Sequence, residues 1–200
     1  MSDLAALSPI RTPEELQGFI PTVDGSPKDA GVLTLIVRRP KVNEREILDA
    51  AELDLVAGLV GDNWTDRPSS RMPGKAPHPD MQLNVMNSRM SAFLAFGDVD
   101  RQALAGDQLH LDLDLSHANL PVGTVLVFGE GENAPAIEVT EQPHTGCKKF
   151  VARFGAEAMR FVNGEFGRPR RLRGLNAKVV RPGTIQAGDR VRVVRPAETS

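Results

Sequence analysis

Four leucines, Leu109, Leu111, Leu113 and Leu115, alternate with His110, Asp112 and Asp114. A period of two turns one set toward a core and the other away from it, so residues 109–115 read as a half-buried β-strand. Shorter patterns predict strands over 32–38 (VLTLIVR, between Gly31 and Pro40), 82–86, 125–128, 136–141, 175–180 and 190–194. Residues 45–60 fit either strand pieces or a short helix, and GTIQAGD (183–189) reads as a turn. Helical signals are fewer. Thr12-Pro13-Glu14-Glu15 has the form of an N-cap, a first-turn proline and a capping box. Residues 88–96 suggest a short helix. After Cys147, Phe150, Val151, Phe154, Met159, Phe161 and Val162 follow helical spacing, with Gly155 placed to break it.

About seven closely spaced strands with few helices argue for a mainly-β fold, a barrel or closed sandwich with a few short peripheral helices. Residues 1–30 read as a polar, proline-rich extension with a short helix, and 31–196 as the barrel domain. Between them in character is 62–80 (DNWTDRPSSRMPGKAPHPD), with four prolines and no apolar period. A loop of that length in a compact domain is usually functional or disordered.

Composition narrows the function classes. The formal net charge of -2 gives no general attraction to nucleic acid or to acidic membranes, so anion binding has to come from a local cluster. Tyr is absent and there is one Trp, which leaves few platforms for stacking bases. A single cysteine cannot form an internal disulfide. The first residues lack a signal-peptide pattern, and no run of 18 apolar residues occurs. These features point to a cytoplasmic protein with a small-molecule cofactor or substrate and neither nucleic acid nor membrane as partner.

The single cysteine lies in EQPHTGCKKF (141–150), between a strand and a helix. Gly146 permits a tight turn before it. A helix N-terminus stabilises a thiolate, and Lys148 and Lys149 add positive charge. His144 is placed to act as a base or hydrogen-bond partner. A small buried thiol at the head of an apolar stripe is the other reading, and these residues alone leave both open. Arg168, Arg170, Arg171 and Arg173 form a second cluster, between Gly167 and Gly174. Guanidiniums so placed suit phosphate or carboxylate, or else form a solvated basic loop. Leu172 should point inward, so not all four arginines can face one ligand. Asp112 and Asp114 read as a solvated face, His110 and His117 as surface residues. His78 and Asp80 lack metal-site spacing.

Taken in order, GLVGD (58–62), AGDQLHLDLDLSHANLP (105–121), GTVLVFG (123–129), IEVTEQPHTGCKKF (137–150), RLRGLNAKVV (171–180) and GTIQAGDRVRVV (183–194) resemble the MOSC family, named for the C-terminal domain of molybdenum-cofactor sulfurases. The resemblance is to the bacterial stand-alone type and spans roughly residues 32–195. It implies a β-barrel around a cysteine-bearing site. It also implies molybdenum cofactor (molybdopterin), with sulfur-carrier chemistry or reduction of N-hydroxylated compounds, and extends to pyridoxal phosphate binding. On that match Cys147 is the reactive residue and metal ligand, with His144 beside it. Arg173, Arg171, Lys148, Thr145 and Asn176 are the cofactor-binding residues. Where many bacterial members have a histidine- and glycine-rich segment after the first Gly-Asp, this chain has Asn63-Trp64-Thr65-Asp66-Arg67 and the proline-rich loop. Redox or sulfur-transfer chemistry would need an external donor protein. The competing readings are an enzyme in which Cys147 attacks an electrophile with His144 as base, and a non-catalytic ligand-binding barrel.

Overall fold

In the computed structural model, residues 9–197 are described. In chain order the elements are α1 (Pro13–Gly18), α2 (Ile20–Asp24), β1 (Ala30–Arg38), β2 (Glu46–Leu48), β3 (Ala50–Asp54), β4 (Gly58–Leu59), β5 (Leu83–Asn87), α3 (Ser88–Leu94), α4 (Val99–Ala103), β6 (Leu109–Asp112), β7 (Val125–Phe128), β8 (Ala136–Val139), α5 (Lys148–Asn163), β9 (Leu175–Arg181), β10 (Gly183–Gln186) and β11 (Arg190–Val194).

Seven strands close on themselves in the order β1-β11-β7-β8-β9-β5-β6 and back to β1, which makes the fold a mainly-β barrel. Closure leaves no open edge in the ring. Every neighbouring pair in the ring is antiparallel except β5 and β6. Parallel neighbours need a crossover, and α3 and α4 supply it. β2 extends β1, and β10, β3 and β4 form a separate three-stranded sheet.

Two apolar clusters hold the fold. The first includes Leu33, Ile36, Leu83, Val85, Leu109, Leu111, Leu126, Ile137, Val139 and Ala177, all 0% exposed. The second joins the helices to the outside of the barrel through Leu16, Met86, Met90, Phe150, Phe154 and Leu172. Burying a side chain of this size stabilises the fold by about 1.5–3 kcal/mol.

The expected strands all appear, and 45–60 resolves into β2, β3 and β4. The capping box at α1 is present: the Thr12 hydroxyl accepts from the Glu15 N–H, and the Glu15 carboxylate accepts from the Thr12 N–H at 2.8 Å. Gly155 does break the long helix, with φ 91 and ψ 163 inside α5. Three expectations need correction. Residues 183–186 form a strand, not a turn, because they pair with β3 from Gly183–Leu53 to Gln186–Ala50. The loop 62–80 is not structureless but holds three 3-10 turns, Asn63–Asp66, Pro73–Lys75 and Pro79–Met81. His110 is not a surface residue: it is 0% exposed, because α3 and α4 cover that face of β6, and its Nδ1 lies 2.8 Å from the Ser91 hydroxyl. Asp112 does face outward, in an ion pair with Arg89 at 2.6 Å. Among the described residues, no helix is long and apolar enough to cross a membrane.

Candidate functional site

Three connections meet at one end of the barrel: α4 to β6, β8 to α5, and α5 to β9. Each contributes one member of a buried charged cluster. Asp107, 0% exposed, precedes β6; Arg173 precedes β9; His144 follows β8. Arg173 Nη1 donates to both Asp107 carboxylate oxygens at 2.9 and 2.7 Å, and Nη2 donates to the Ala105 carbonyl at 3.1 Å. His144 Nε2 lies 2.7 Å from Asp107 Oδ1. Burial on its own would raise the Asp107 carboxyl, but the Arg173 guanidinium and the His144 ring outweigh it and hold it well below the usual carboxylate range. The His144 pKa is lowered, first by burial and then by the Arg173 charge, against the opposing pull of Asp107.

Glycine makes this approach possible. At Gly174 φ is 105, and a Cβ there would sit 2.3 Å from the Val85 carbonyl oxygen and 3.1 Å from the His144 ring. At Gly146 a Cβ would sit 2.2 Å from the Met159 sulfur, so the segment before Cys147 lies close against the side chains of α5, and a larger residue there would require Met159 to move.

A second polar network lies beside the first. Arg39 makes a bidentate pair with Asp62, Nε to Oδ2 and Nη2 to Oδ1, both at 2.7 Å, and both side chains are buried. Arg39 Nη1 also donates to Asn84 Oδ1 and to the Gly106 carbonyl, each at 2.8 Å. Asn84 Nδ2 donates to Asn176 Oδ1 at 2.6 Å, and Asn176 Nδ2 donates to the Gln142 carbonyl at 3.1 Å. Asn176 is thus fully buried and committed to fixing the 140–145 segment. The loop 62–80 is tied to the same segment: Arg71 Nη1 donates to Gln142 Oε1 at 2.6 Å, and the Thr140 hydroxyl donates to the Asp80 carbonyl at 2.7 Å.

Cys147 is exposed and is the N-cap of α5, one residue before the helix rather than in its first turn. It opens on a cavity of about 310 Å³ lined also by Arg45, Arg67, Lys149, Arg153, His144 and Arg173. Among the described residues, Arg45, Arg67, Lys149 and Arg153 pair with no carboxylate. Burial first, and then the like charges of Arg153, Arg39 and Arg67, bring Arg45 down to about 10. It remains a cation at neutral pH, in a place where neighbouring cations oppose it. The Arg45 and Arg173 Nε atoms are buried and have no hydrogen-bond partner among the described residues. Arg153 is held by its Nη1 on the Leu104 carbonyl at 2.5 Å.

The structure therefore brings together Cys147, His144, Thr145 and Arg173 from the residues singled out by sequence. Lys148 is exposed and does not line this cavity; Lys149 does. Arg171 is buried and lines a neighbouring cavity instead. Sequence reasoning missed Asp107, the Arg39–Asp62 pair, Arg45, Arg67 and Arg153. Asp62 and Asp107 had a local signal, each ending a Gly-Asp pair in a stretch that carries the resemblance; the arginines are scattered over 115 positions and meet only in the fold. The third, orienting group that a cysteine–histidine enzyme requires does exist, as Asp107. Cys147, however, makes no hydrogen bond to His144, whose Nε2 is turned to Asp107. Among the described residues no cluster of three or more His, Cys, Asp or Glu side chains is arranged to hold a metal ion.

No protein-family profile matches the chain, and no curated protein matches it. Solved structures do. The YuaD protein from Bacillus subtilis is 15% identical, over 82% of this chain and 95% of that one, with a TM-score of 0.54. YiiM from Escherichia coli is 19% identical, over 84% and 72%, with a TM-score of 0.52. YiiM from Geobacillus stearothermophilus is 14% identical, over 83% and 75%, with a TM-score of 0.54. At these identities the likeness is one of fold.

Proposed function

We propose that this chain is a MOSC-type protein that binds molybdenum cofactor, or a related phosphate-bearing cofactor, at the Cys147 cavity. The fold it shares with YuaD and YiiM, which are MOSC-domain proteins, supports the family reading. The observation that carries the ligand reading is the set of cations without counter-charge, Arg45, Arg67, Lys149 and Arg153, around an exposed cysteine. Cations held close together are stabilised by an anion of more than one charge, and guanidiniums fit phosphate oxygens. The partnerless Nε atoms of Arg45 and Arg173 also fit an oxyanion. A bound molybdopterin would supply the metal and its redox or sulfur chemistry.

The chain's own residues have distinct tasks in this reading. Cys147 offers a soft sulfur as the one protein ligand, which suits a metal that arrives already held by its cofactor. Arg45, Arg67, Lys149 and Arg153 hold the phosphate end. Asp107 fixes Arg173 and His144, and the remaining His144 nitrogen, Nδ1, is the atom available to take or give a proton at the cavity wall. The loop 62–80, tied down through Arg71 and Asp80, limits the access of water. Reduction of an N-hydroxylated compound and carriage of sulfur both fit this arrangement, and both need an external donor.

The test is pterin retention. The protein is purified from a host that makes molybdenum cofactor, and the released pterin is oxidised and measured by fluorescence. Arg45→Ala and Arg153→Ala should each lower the pterin per chain at least about tenfold, the worth of one charged hydrogen bond. Pterin absent from the wild type, or retained equally by both variants, would overturn the proposal.

A further inference from the structure

A neighbouring cavity of about 390 Å³ shares His144, Thr145 and Arg173 with the Cys147 cavity but is not lined by Cys147. Its distinctive residue is Arg171, 8% exposed and held at φ 48, a backbone conformation costly to any residue with a Cβ. Arg171 Nη1 donates to the Leu120 carbonyl at 2.7 Å and to the Leu115 carbonyl at 3.4 Å. No carboxylate among the described residues pairs with it, and burial brings its pKa down to about 10. A buried cation that meets only carbonyl oxygens keeps an unneutralised charge, which is expensive unless an anion comes to it. Arg168 lines the same cavity, is exposed, and likewise has no carboxylate partner. Glu141 is exposed at the cavity and pairs with neither arginine. His117 lines the same cavity, where burial and then the Arg171 charge disfavour its protonation. Val162 and Leu175 give the cavity an apolar side.

We infer that this cavity is a second anion subsite, in which Arg171 and Arg168 take the carboxylate or phosphate of a small molecule while Val162 and Leu175 pack on its carbon skeleton. Shared walls at His144 and Arg173 put that molecule beside the Cys147 cavity, so it is the second reactant; this role rests on the function proposed above, whereas binding itself does not.

The experiment is an NMR titration of the isotope-labelled full chain with inorganic phosphate and, separately, with acetate, at constant ionic strength. Saturable shifts are expected in the amides of residues 117, 141–142, 162–163, 168, 171 and 174. Arg168→Ala and Arg171→Gln should weaken them roughly tenfold, as expected for loss of one charged hydrogen bond, while Arg38→Ala, which lines neither cavity, leaves them unchanged. A response to phosphate alone identifies a phosphate subsite, and an equal response to acetate a carboxylate subsite. If Arg171→Gln does not fold, Arg168→Ala decides. No saturable shift in these amides with either anion, or shifts untouched by Arg168→Ala, would overturn the inference. Shifts confined to residues 45, 67, 149 and 153 would overturn it too, while leaving the Cys147 proposal standing.

Discussion

Replacing Asp107 by Asn tests the buried cluster with little change of shape. The carboxylate is 0% exposed and takes two hydrogen bonds from Arg173 Nη1 and one contact from His144 Nε2. Asparagine keeps one acceptor oxygen but removes the charge, leaving the Arg173 guanidinium buried without a counter-ion. Breaking a buried pair by neutralising one partner costs about 3–5 kcal/mol. That is a large share of the roughly 5–15 kcal/mol that holds an ordinary domain together. The assay is guanidinium unfolding at neutral pH, with Glu46→Gln as control. Glu46 pairs with Arg38 at 2.6 Å, but both are well exposed, and such pairs are worth about 0–1 kcal/mol. Asp107→Asn should lose several times what Glu46→Gln loses, and Asp107→Asn with Arg173→Met should recover part of the loss. The sign with pH also follows. The folded-state pKa of Asp107 lies below the unfolded value, so its contribution is complete above the unfolded value of about 4 and is lost as pH falls through the folded one. A loss below about 1 kcal/mol for Asp107→Asn, or one no larger than for Glu46→Gln, would refute the argument.

Burial lowers His110 to about 4, against an unfolded value near 6.5, so the unfolded chain binds the extra proton first. Stability should therefore fall by on the order of 3 kcal/mol as pH drops from about 6.5 to 4, and His110→Gln should flatten most of that slope, read from unfolding curves across the range. Gly174→Ala would place a Cβ 2.3 Å from the Val85 carbonyl oxygen at φ 105, and should cost more than about 1 kcal/mol while also displacing His144, seen as a melting shift and loss of pterin. Arg71→Ala removes the 2.6 Å tie to Gln142 and should speed proteolytic cleavage within 62–80 with little change in melting temperature; an unchanged cleavage rate would show that the tie does not hold the loop.

Much of the barrel was legible because its strands carry their own pattern. Leu109, Leu111, Leu113 and Leu115 alternate without exception, and all are buried. The same rule failed at His110, since alternation says which side a residue takes, not what covers that side; α3 and α4 do so here. Residues 183–186 were missed because a four-residue strand that begins on Gly183 and is followed closely by Gly188 gives too short a period to separate strand from turn. At the site, Cys147 and His144 were found because unusual residue types lie three positions apart, and Arg173 because it belongs to an arginine cluster and to a stretch that carries the family resemblance. Arg45, Arg67 and Arg153 come from β2's approach, the 62–80 loop and α5, so nothing local marks them as neighbours. Arg171 was recognised as an anion-binding type but belongs to the adjoining cavity, because Leu172 points inward between it and Arg173.

The most direct test of the Cys147 assignment is the molybdenum content of the protein purified from a cofactor-competent host, by elemental analysis, beside Cys147→Ala. Near-stoichiometric molybdenum in the wild type, lost in the variant, is the predicted result. Molybdenum in neither protein, or the same amount in both, would contradict it.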